Sequence, residues 1–179
     1  MATPPTFTSG SILTAAQMNS VGLWLVKTQT IGTAVSSVTL TNTFSSDFDN
    51  YRVLVNVNDA SVTGSTLNMT LTGISGSVYY DIGWQLGWAS SITAQTPAAA
   101  TYWKIGYEFN TFVTTNVMDI FNPYLSTART SATSTQAGPG FGSLYLHQVT
   151  TTTSATGFTI TPSSGTITGG TIRVYGYRN

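Results

Sequence analysis

Apolar and polar residues alternate one by one in many short segments of this chain, and this period of two restricts it to a β fold. The clearest segment covers residues 51–58, where one side carries Tyr51, Val53, Val55 and Val57. Shorter segments with the same alternation lie at 38–41, 67–72, 158–161 and 172–175. Each predicts a half-buried strand, because successive side chains of a strand point to opposite faces of a sheet.

Turn-forming residues separate the predicted strands. Clusters of glycine, proline, serine, asparagine and aspartate occur at 45–47, 58–59, 73–76, 137–140 and 163–165. Roughly eight to ten strands at this spacing predict an all-β fold, a single antiparallel β-sandwich or jelly roll. Two stretches of small and polar residues, 89–101 and 126–140, are predicted to be long loops.

The first 26 residues differ from the rest and are predicted to form an extended anchor arm. Pro4 and Pro5 enforce extended backbone near its start. Thr14 and Gln17 have the spacing of a capping box, in which each side chain bonds the other's backbone amide, so they predict a short helix. We therefore divide the chain into an N-terminal arm with a short helix at 1–26 and a β-sandwich body at 27–179.

Charge is scarce in this sequence. Only 7% of the residues are charged and the formal net charge is zero, whereas about 25% of residues are charged in ordinary soluble domains. Nucleic-acid binding needs a cationic surface, so we expect no nucleic-acid partner. A neutral, β-rich chain also lacks the charge repulsion that opposes association. We therefore expect a homo-oligomer.

The sequence carries no visible address for export or for a membrane. It has no cysteine, which excludes disulfides and thiolate metal sites. The first residues lack the basic and apolar regions of a signal peptide. No apolar run approaches the ~20 residues of a membrane-spanning helix. We expect a protein that is made in a cytoplasm and is not inserted into a membrane.

Catalytic and metal-binding patterns are weak. His147 is the single histidine, and no Gly-x-Ser-x-Gly motif frames a serine for a Ser-His-Asp site, so we expect His147 at a surface or subunit interface. Asp47 and Asp49 have the spacing of a calcium loop but lack the glycine and distant glutamate of that motif. We expect no enzyme, no catalytic residue, no cofactor and no bound metal.

Aromatic residues are concentrated in the middle of the chain and allow two interpretations. The side chains that could contact a ligand or receptor are Trp84, Trp88, Tyr102, Trp103 and Tyr107. The cluster is either the core of the sandwich or a subunit interface, where aromatics bury large areas, or a platform on which sugar rings stack. A polysaccharide depolymerase would additionally need two carboxylates across a cleft, and Asp81 and Glu108 are the candidates.

Three segments carry a resemblance to a known group of proteins. They are FTSGSILTAAQMN at 7–19, FDNYRV at 48–53 and GTIRVYG at 170–176, and together they cover well under half of the chain. In this order they resemble the opening, the body and the closing strand of small tailed-bacteriophage virion proteins. Such proteins are minor tail or tail-fibre components, and others of similar size and fold are trimeric capsid decorations.

The resemblance implies a virion structural protein of the tail fibre or tail tip, made in the host cytoplasm and assembled as a homotrimer. Its arm would dock onto other virion proteins through apolar anchors, namely Phe7, Ile12, Leu13, Met18, Leu23 and Trp24. The body would then be free to contact the host surface, including a surface glycan. The alternative is a capsid decoration protein, a cement or head-fibre protein. A more remote alternative is a carbohydrate-binding module or a depolymerase.

Overall fold

A computed structural model describes residues 9–10, 12, 22–87, 91–95 and 99–177. The predicted helix that begins at Thr14 and most of the predicted arm lie outside the described residues, as does Trp88. Within the described residues the regular structure consists of twelve β-strands, with no helix. The first strand begins at Trp24, inside the range predicted for the arm.

The strands are β1 (Trp24–Thr30), β2 (Val38–Leu40), β3 (Asn50–Ala60), β4 (Ser65–Leu71), β5 (Tyr79–Gly87), β6 (Ser91–Gln95), β7 (Trp103–Glu108), β8 (Thr114–Phe121), β9 (Ser131–Gly138), β10 (Phe141–Val149), β11 (Phe158–Pro162) and β12 (Ile167–Tyr177). They form an eight-stranded sheet in the order β1-β12-β3-β8-β9-β10-β5-β6 and a four-stranded sheet in the order β2-β11-β4-β7. All pairings are antiparallel. The predicted all-β class with antiparallel sheets is confirmed.

One hydrophobic core lies between the two sheets. The large sheet contributes Tyr51, Val53, Val55 and Val57 of β3, all buried, as the period of two predicts. The small sheet faces them with side chains such as Met69 of β4 and Phe158 of β11. Alternation therefore identified the buried side of β3 correctly.

The prediction of a long loop at 126–140 is wrong, because β9 occupies residues 131–138 of it. This strand has the sequence SATSTQAG and lacks large apolar side chains. It forms because β8 and β10 bond its backbone from both sides, and threonine favours strands wherever neighbours supply that pairing. The strand β6 likewise lies inside the loop predicted at 89–101.

The large sheet is wider than the small one, and the strands beyond the small sheet contain the candidate sites described below. The strand β7, which is the last strand of the small sheet, lies against β8, β9, β10 and β5. We call β9, β10, β5 and β6 the extension of the large sheet.

Candidate functional site

The extension has the opposite polarity to the rest of the large sheet. Along β5, the outward residues are Tyr80, Ile82, Trp84 and Leu86, and all four are exposed. The inward positions of the extension carry polar side chains, which are Asp81, Gln85, Ser134, Gln136, Ser143 and His147. Two candidate sites follow from this inversion, a buried polar layer and an exposed apolar face.

The polar layer covers the free edge of β7. The backbone N–H of Tyr107 donates to Gln136 Oε1 at 2.8 Å, and Gln136 Nε2 donates to the carbonyl of Tyr107. On β5, two strands away from β9 in the large sheet, Asp81 Oδ2 accepts a hydrogen bond from the backbone N–H of Lys104 at 2.7 Å. These side chains take the place of a neighbouring strand, so the edge is not left open to another chain.

A hydrogen-bond chain links Asp81, His147 and Ser134 within this layer. Asp81 and His147 are directly opposite each other on β5 and β10, and Asp81 Oδ1 lies 2.6 Å from His147 Nδ1. The other ring nitrogen, His147 Nε2, lies 2.8 Å from Ser134 Oγ on β9. The order of the groups is that of a Ser-His-Asp catalytic triad.

The burial of these three side chains is unlike that of the residues in a catalytic site. Ser134 is only 1% exposed, so no substrate carbonyl can reach its hydroxyl. The rings of Trp103 and Tyr145 lie 5.4 and 6.0 Å from the ring of His147. Asp81 also holds the β7 backbone through its second oxygen. The arrangement satisfies buried polar groups and joins β7 to the extension.

The prediction that His147 lies at a surface or subunit interface is therefore wrong, because its side chain is buried within the chain. The opposite phase of His147 to Leu144 and Leu146 was recognised correctly from the sequence. In the structure, however, Leu146 points outward and is exposed, while the side chain of His147 is buried. The usual rule that leucines mark the inner face fails on this strand, because the inner face is lined with hydrogen-bonding partners.

Glu108 is a buried carboxyl group on β7, the strand that the polar layer covers. It is fully buried at the end of β7, and Thr114 donates a hydrogen bond to its Oε2 atom. Burial raises the pKa of Glu108 to about 7, and the neighbouring side chains of Thr114 and Asn116 only partly oppose this effect. The buried Oε1 atom has no partner in hydrogen-bonding geometry. The carboxyl group is thus poised to titrate near neutral pH.

Two tyrosine hydroxyls complete the layer. Gln85 Nε2 donates to the hydroxyl of Tyr107 and, at 3.2 Å, to that of Tyr145. Burial raises the pKa of Tyr145 above its ordinary value, so this hydroxyl stays neutral at any physiological pH. The ammonium of Lys104 lies 4.4 Å from the centre of the Tyr107 ring, which places a cation over an aromatic face.

The second candidate site is the exposed side of the extension. Cross-strand pairing places Leu146 beside Ile82, and Ile92 of β6 beside Leu86. We call these outward side chains the apolar face, which consists of Tyr80, Ile82, Trp84, Leu86, Ile92 and Leu146. Their exposed fractions range from 37% for Tyr80 to 68% for Ile92. None of the described side chains on this side of β5, β6 and β10 is charged.

The five predicted ligand-contact aromatics do not form one row. Trp84 is on the apolar face and Tyr102 is exposed in the turn before β7. Trp103 is completely buried, where its indole N–H donates to the carbonyl of Gln148 at 3.2 Å. Tyr107 is half-buried under Lys104, and Trp88 lies outside the described residues. The structure thus separates an outward tryptophan from an inward one.

The predicted docking residues are described only in part. Ile12 is 91% exposed, and Leu23 and Trp24 are also exposed. Phe7, Leu13 and Met18 lie outside the described residues. Trp24 begins β1, at the edge of the large sheet opposite to β6. The end of the predicted arm, at Trp24, is thus separated from the apolar face by the width of the sheet.

Asp81 and Glu108, the carboxyl groups that a depolymerase would need, both make hydrogen bonds inside the fold. Asp81 bonds His147 and the β7 backbone, whereas Glu108 is buried beside Thr114. The described residues contain no group of three or more histidine, cysteine, aspartate or glutamate side chains placed to hold a metal ion. No helix among them is long and apolar enough to span a bilayer.

Comparisons with known proteins add little to this geometry. No protein-family model matches the chain, and no curated protein matches it. Among solved structures, a protein of unknown function from Shewanella oneidensis MR-1 aligns over 92% of this chain and 83% of its own, with 11% sequence identity and a TM-score of 0.25. A likeness at this level carries no argument about fold or function.

Proposed function

We propose that this protein is a structural component of a bacteriophage virion, in the tail fibre or tail tip, and that it acts by assembly rather than by catalysis. The apolar face is the observation that carries this proposal. A neutral chain that exposes a large contiguous apolar surface is suited to being covered in an assembly. The triad-like groups do not favour an enzyme, because their hydroxyl is buried.

The strand order supports a jelly-roll interpretation of the fold. A jelly roll forms when a long antiparallel hairpin of eight strands wraps into two sheets. The eight strands here would be β1, β2, β3, β4, β7, β8, β11 and β12. Their pairings β1–β12, β2–β11, β3–β8 and β4–β7 are the four successive rungs of such a hairpin. The hairpins β5–β6 and β9–β10 are then insertions that build the extension.

Fold-level analogy adds weight in the same direction. Jelly rolls are common in viral capsid proteins and in lectins, although a fold alone does not define a function. Two of the segments that resemble tailed-phage proteins, 48–53 and 170–176, meet where β3 and β12 pair in the large sheet. Tyr51 of the first segment pairs with Gly176 of the second. The resemblance thus concerns one structural unit rather than scattered residues.

The proposed assembly has two parts. The N-terminal arm, with Ile12, Leu23 and Trp24 exposed among its described residues, docks onto other virion proteins. The body forms a homo-oligomer, which by analogy with phage virion proteins is a trimer. The protein is made in the host cytoplasm and resides in the virion, where the body is free to meet the host surface.

A capsid decoration protein is the second candidate, because a jelly roll with an anchor arm serves equally well on a capsid. A carbohydrate-binding module is a more remote candidate. Tyr80 and Trp84 on the apolar face offer rings to a sugar, but burial of Trp103 leaves fewer aromatics for a platform. The aliphatic neighbours of these rings are more typical of a protein interface.

The chain should be quantified by mass spectrometry in density-gradient fractions of lysates from cells that carry its gene in the natural genome. Comigration with phage particles supports the proposal. A few copies per particle place the protein in the tail, and hundreds of copies place it on the capsid. A chain that is abundant in the lysate but absent from particle fractions would contradict a virion role.

A further inference from the structure

The apolar face lies on one half of the outer surface of the large sheet, and the other half is different. On β3 and β8, Arg52 and Asp119 form an ion pair at 2.7 Å, and Arg173 lies nearby on β12. The extension has no such charge among its described outward side chains. The strand β9 separates the two halves with Thr133 and Thr135. One side of a single sheet is therefore divided into a half with charged side chains and a half without them among its described residues.

The size of the apolar face is that of an interaction surface. The exposed parts of its six side chains amount to roughly 500 Å² of apolar surface, which lies in the upper half of the ~300–600 Å² found for the largest apolar patch of a typical monomer, a patch that is often functional. This is more than half of the ~800 Å² that each partner contributes to a standard interface. Backbone and rim atoms around the face supply further area. A stable interface is therefore within reach without any rearrangement.

The inverted polarity of β5 and β10 shows that the face is built into the fold. Asp81 and His147 are inward because they bond β7 and Ser134, so their neighbours Ile82 and Leu146 must point outward. A strand that only needed to be soluble would carry polar residues at those outward positions, as Thr133 and Thr135 do on β9. The outward positions instead carry residues typical of an interface core.

We propose that a second copy of this chain covers the apolar face, so that the β5–β6–β10 surface is the subunit interface. This inference rests on the proposed assembly function and names the surface that performs it. A face without charge offers no electrostatic selectivity for a foreign partner, whereas the same apolar faces of further copies pack against one another around a symmetry axis, in a dimer or in the proposed trimer. The zero net charge of the chain leaves no long-range repulsion between copies.

The decisive experiment is the mass of the full chain by multi-angle light scattering, with two double variants. The first is Ile82→Glu with Trp84→Glu, which places carboxylates in the centre of the face. The matched control is Phe112→Glu with Val113→Glu, because these side chains are similarly exposed but lie in the turn before β8. We expect the wild type and the control to have at least twice the monomer mass of 19.0 kDa, and the first variant to be a monomer.

Each other result has a defined meaning. A monomeric wild type would overturn the inference, and so would a first variant that keeps the wild-type mass. If that variant stays oligomeric but no longer comigrates with particles, the face binds another virion protein. The inference would then fail while the virion proposal stands. If the chain is oligomeric through this face but never comigrates with particles, the inference holds and the virion proposal fails.

A second measurement avoids any dependence on the folding of the charged variants. The chain has no cysteine, so Leu86→Cys provides a single thiol on the face and Val113→Cys provides one away from it. We expect maleimide labelling of Leu86→Cys to slow as protein concentration rises, and labelling of Val113→Cys to be independent of it. Protection of Leu86→Cys at every concentration, in a chain that light scattering finds to be a monomer, would mean that the chain's own N-terminal arm covers the face. Rapid labelling at every concentration would mean that the face is free. Both of these results would overturn the inference.

Discussion

The ring of Phe48 lies directly against the backbone of Gly176, with no space between them for a side chain. A β carbon built on Gly176 would be 2.3 Å from Cγ of Phe48, far inside van der Waals contact. The two residues come from segments more than a hundred positions apart, and they meet beside Tyr51, where β12 pairs with β3. Glycine is required here by close approach, not by an unusual backbone angle.

Replacement of Gly176 by alanine is therefore expected to destabilise the protein by about 1–3 kcal/mol, because the ring of Phe48 must move out of a packed position. Chemical denaturation followed by tryptophan fluorescence measures the change. Gly142→Ala on β10 is the control, since a β carbon there meets only ordinary contact at 3.5 Å. In the Phe48→Ala background, Gly176→Ala should cost much less. Equal costs in the two backgrounds would mean that Phe48 is not the obstacle.

Glu108 is expected to make stability depend on pH between about 4.5 and 7. Its pKa is raised in the folded state, so the folded protein binds the proton more tightly than the unfolded chain does. The stabilisation is complete below the ordinary pKa of 4.5 and is lost as pH rises through about 7. Over this pH range the free energy of unfolding is expected to fall by roughly 3 kcal/mol because of Glu108.

Glu108→Gln tests this dependence, because glutamine resembles the protonated carboxyl group and does not titrate. We expect the free energy of unfolding of the variant to vary less between pH 5 and pH 8, and to exceed that of the wild type at pH 8. Denaturant titrations at several pH values provide the comparison. An unchanged pH dependence in the variant would show that another group is responsible.

Asp81 is expected to be more important for stability than a surface carboxylate. Asp81→Ala leaves the buried His147 ring and the backbone N–H of Lys104 without their acceptor, which should cost about 2–4 kcal/mol. Asp119→Ala is the matched control, since it breaks the partly exposed ion pair with Arg52 and should cost under ~1 kcal/mol. Amide exchange at Lys104 should accelerate in the Asp81 variant alone. Similar costs for the two variants would contradict a structural role for the polar layer.

Ser134 is expected to be unreactive despite its triad-like partners, because its hydroxyl is buried. A fluorophosphonate probe should not modify the native protein under conditions that label an active serine hydrolase. Ser134→Ala should lower stability. We expect neither the wild type nor this variant to show hydrolytic activity. Specific labelling of Ser134 that disappears in His147→Ala would instead show that the site opens and acts as a catalytic triad.

Much of the fold could be predicted from alternation. Residues 51–58 predicted β3 and its buried side, and 172–175 predicted part of β12. β9 could not be predicted in this way, because its inner face is polar and buried, with hydrogen bonds to β7 and to His147. The candidate site was missed for the same reason. The useful signal was present in β5 and β10, where large apolar residues and polar residues alternate in both strands.

The sequence by itself determined that the chain forms short strands and which residues share a face of each strand. It also determined a surface with little charge. Only the tertiary structure decided which of the two faces is inside, because a period of two is symmetric and does not distinguish them. On β3 the apolar side turns inward, since the small sheet covers it. On β5 and β10 the polar side turns inward, since the open backbone of β7 needs hydrogen-bond partners that Ile82 and Leu146 cannot provide.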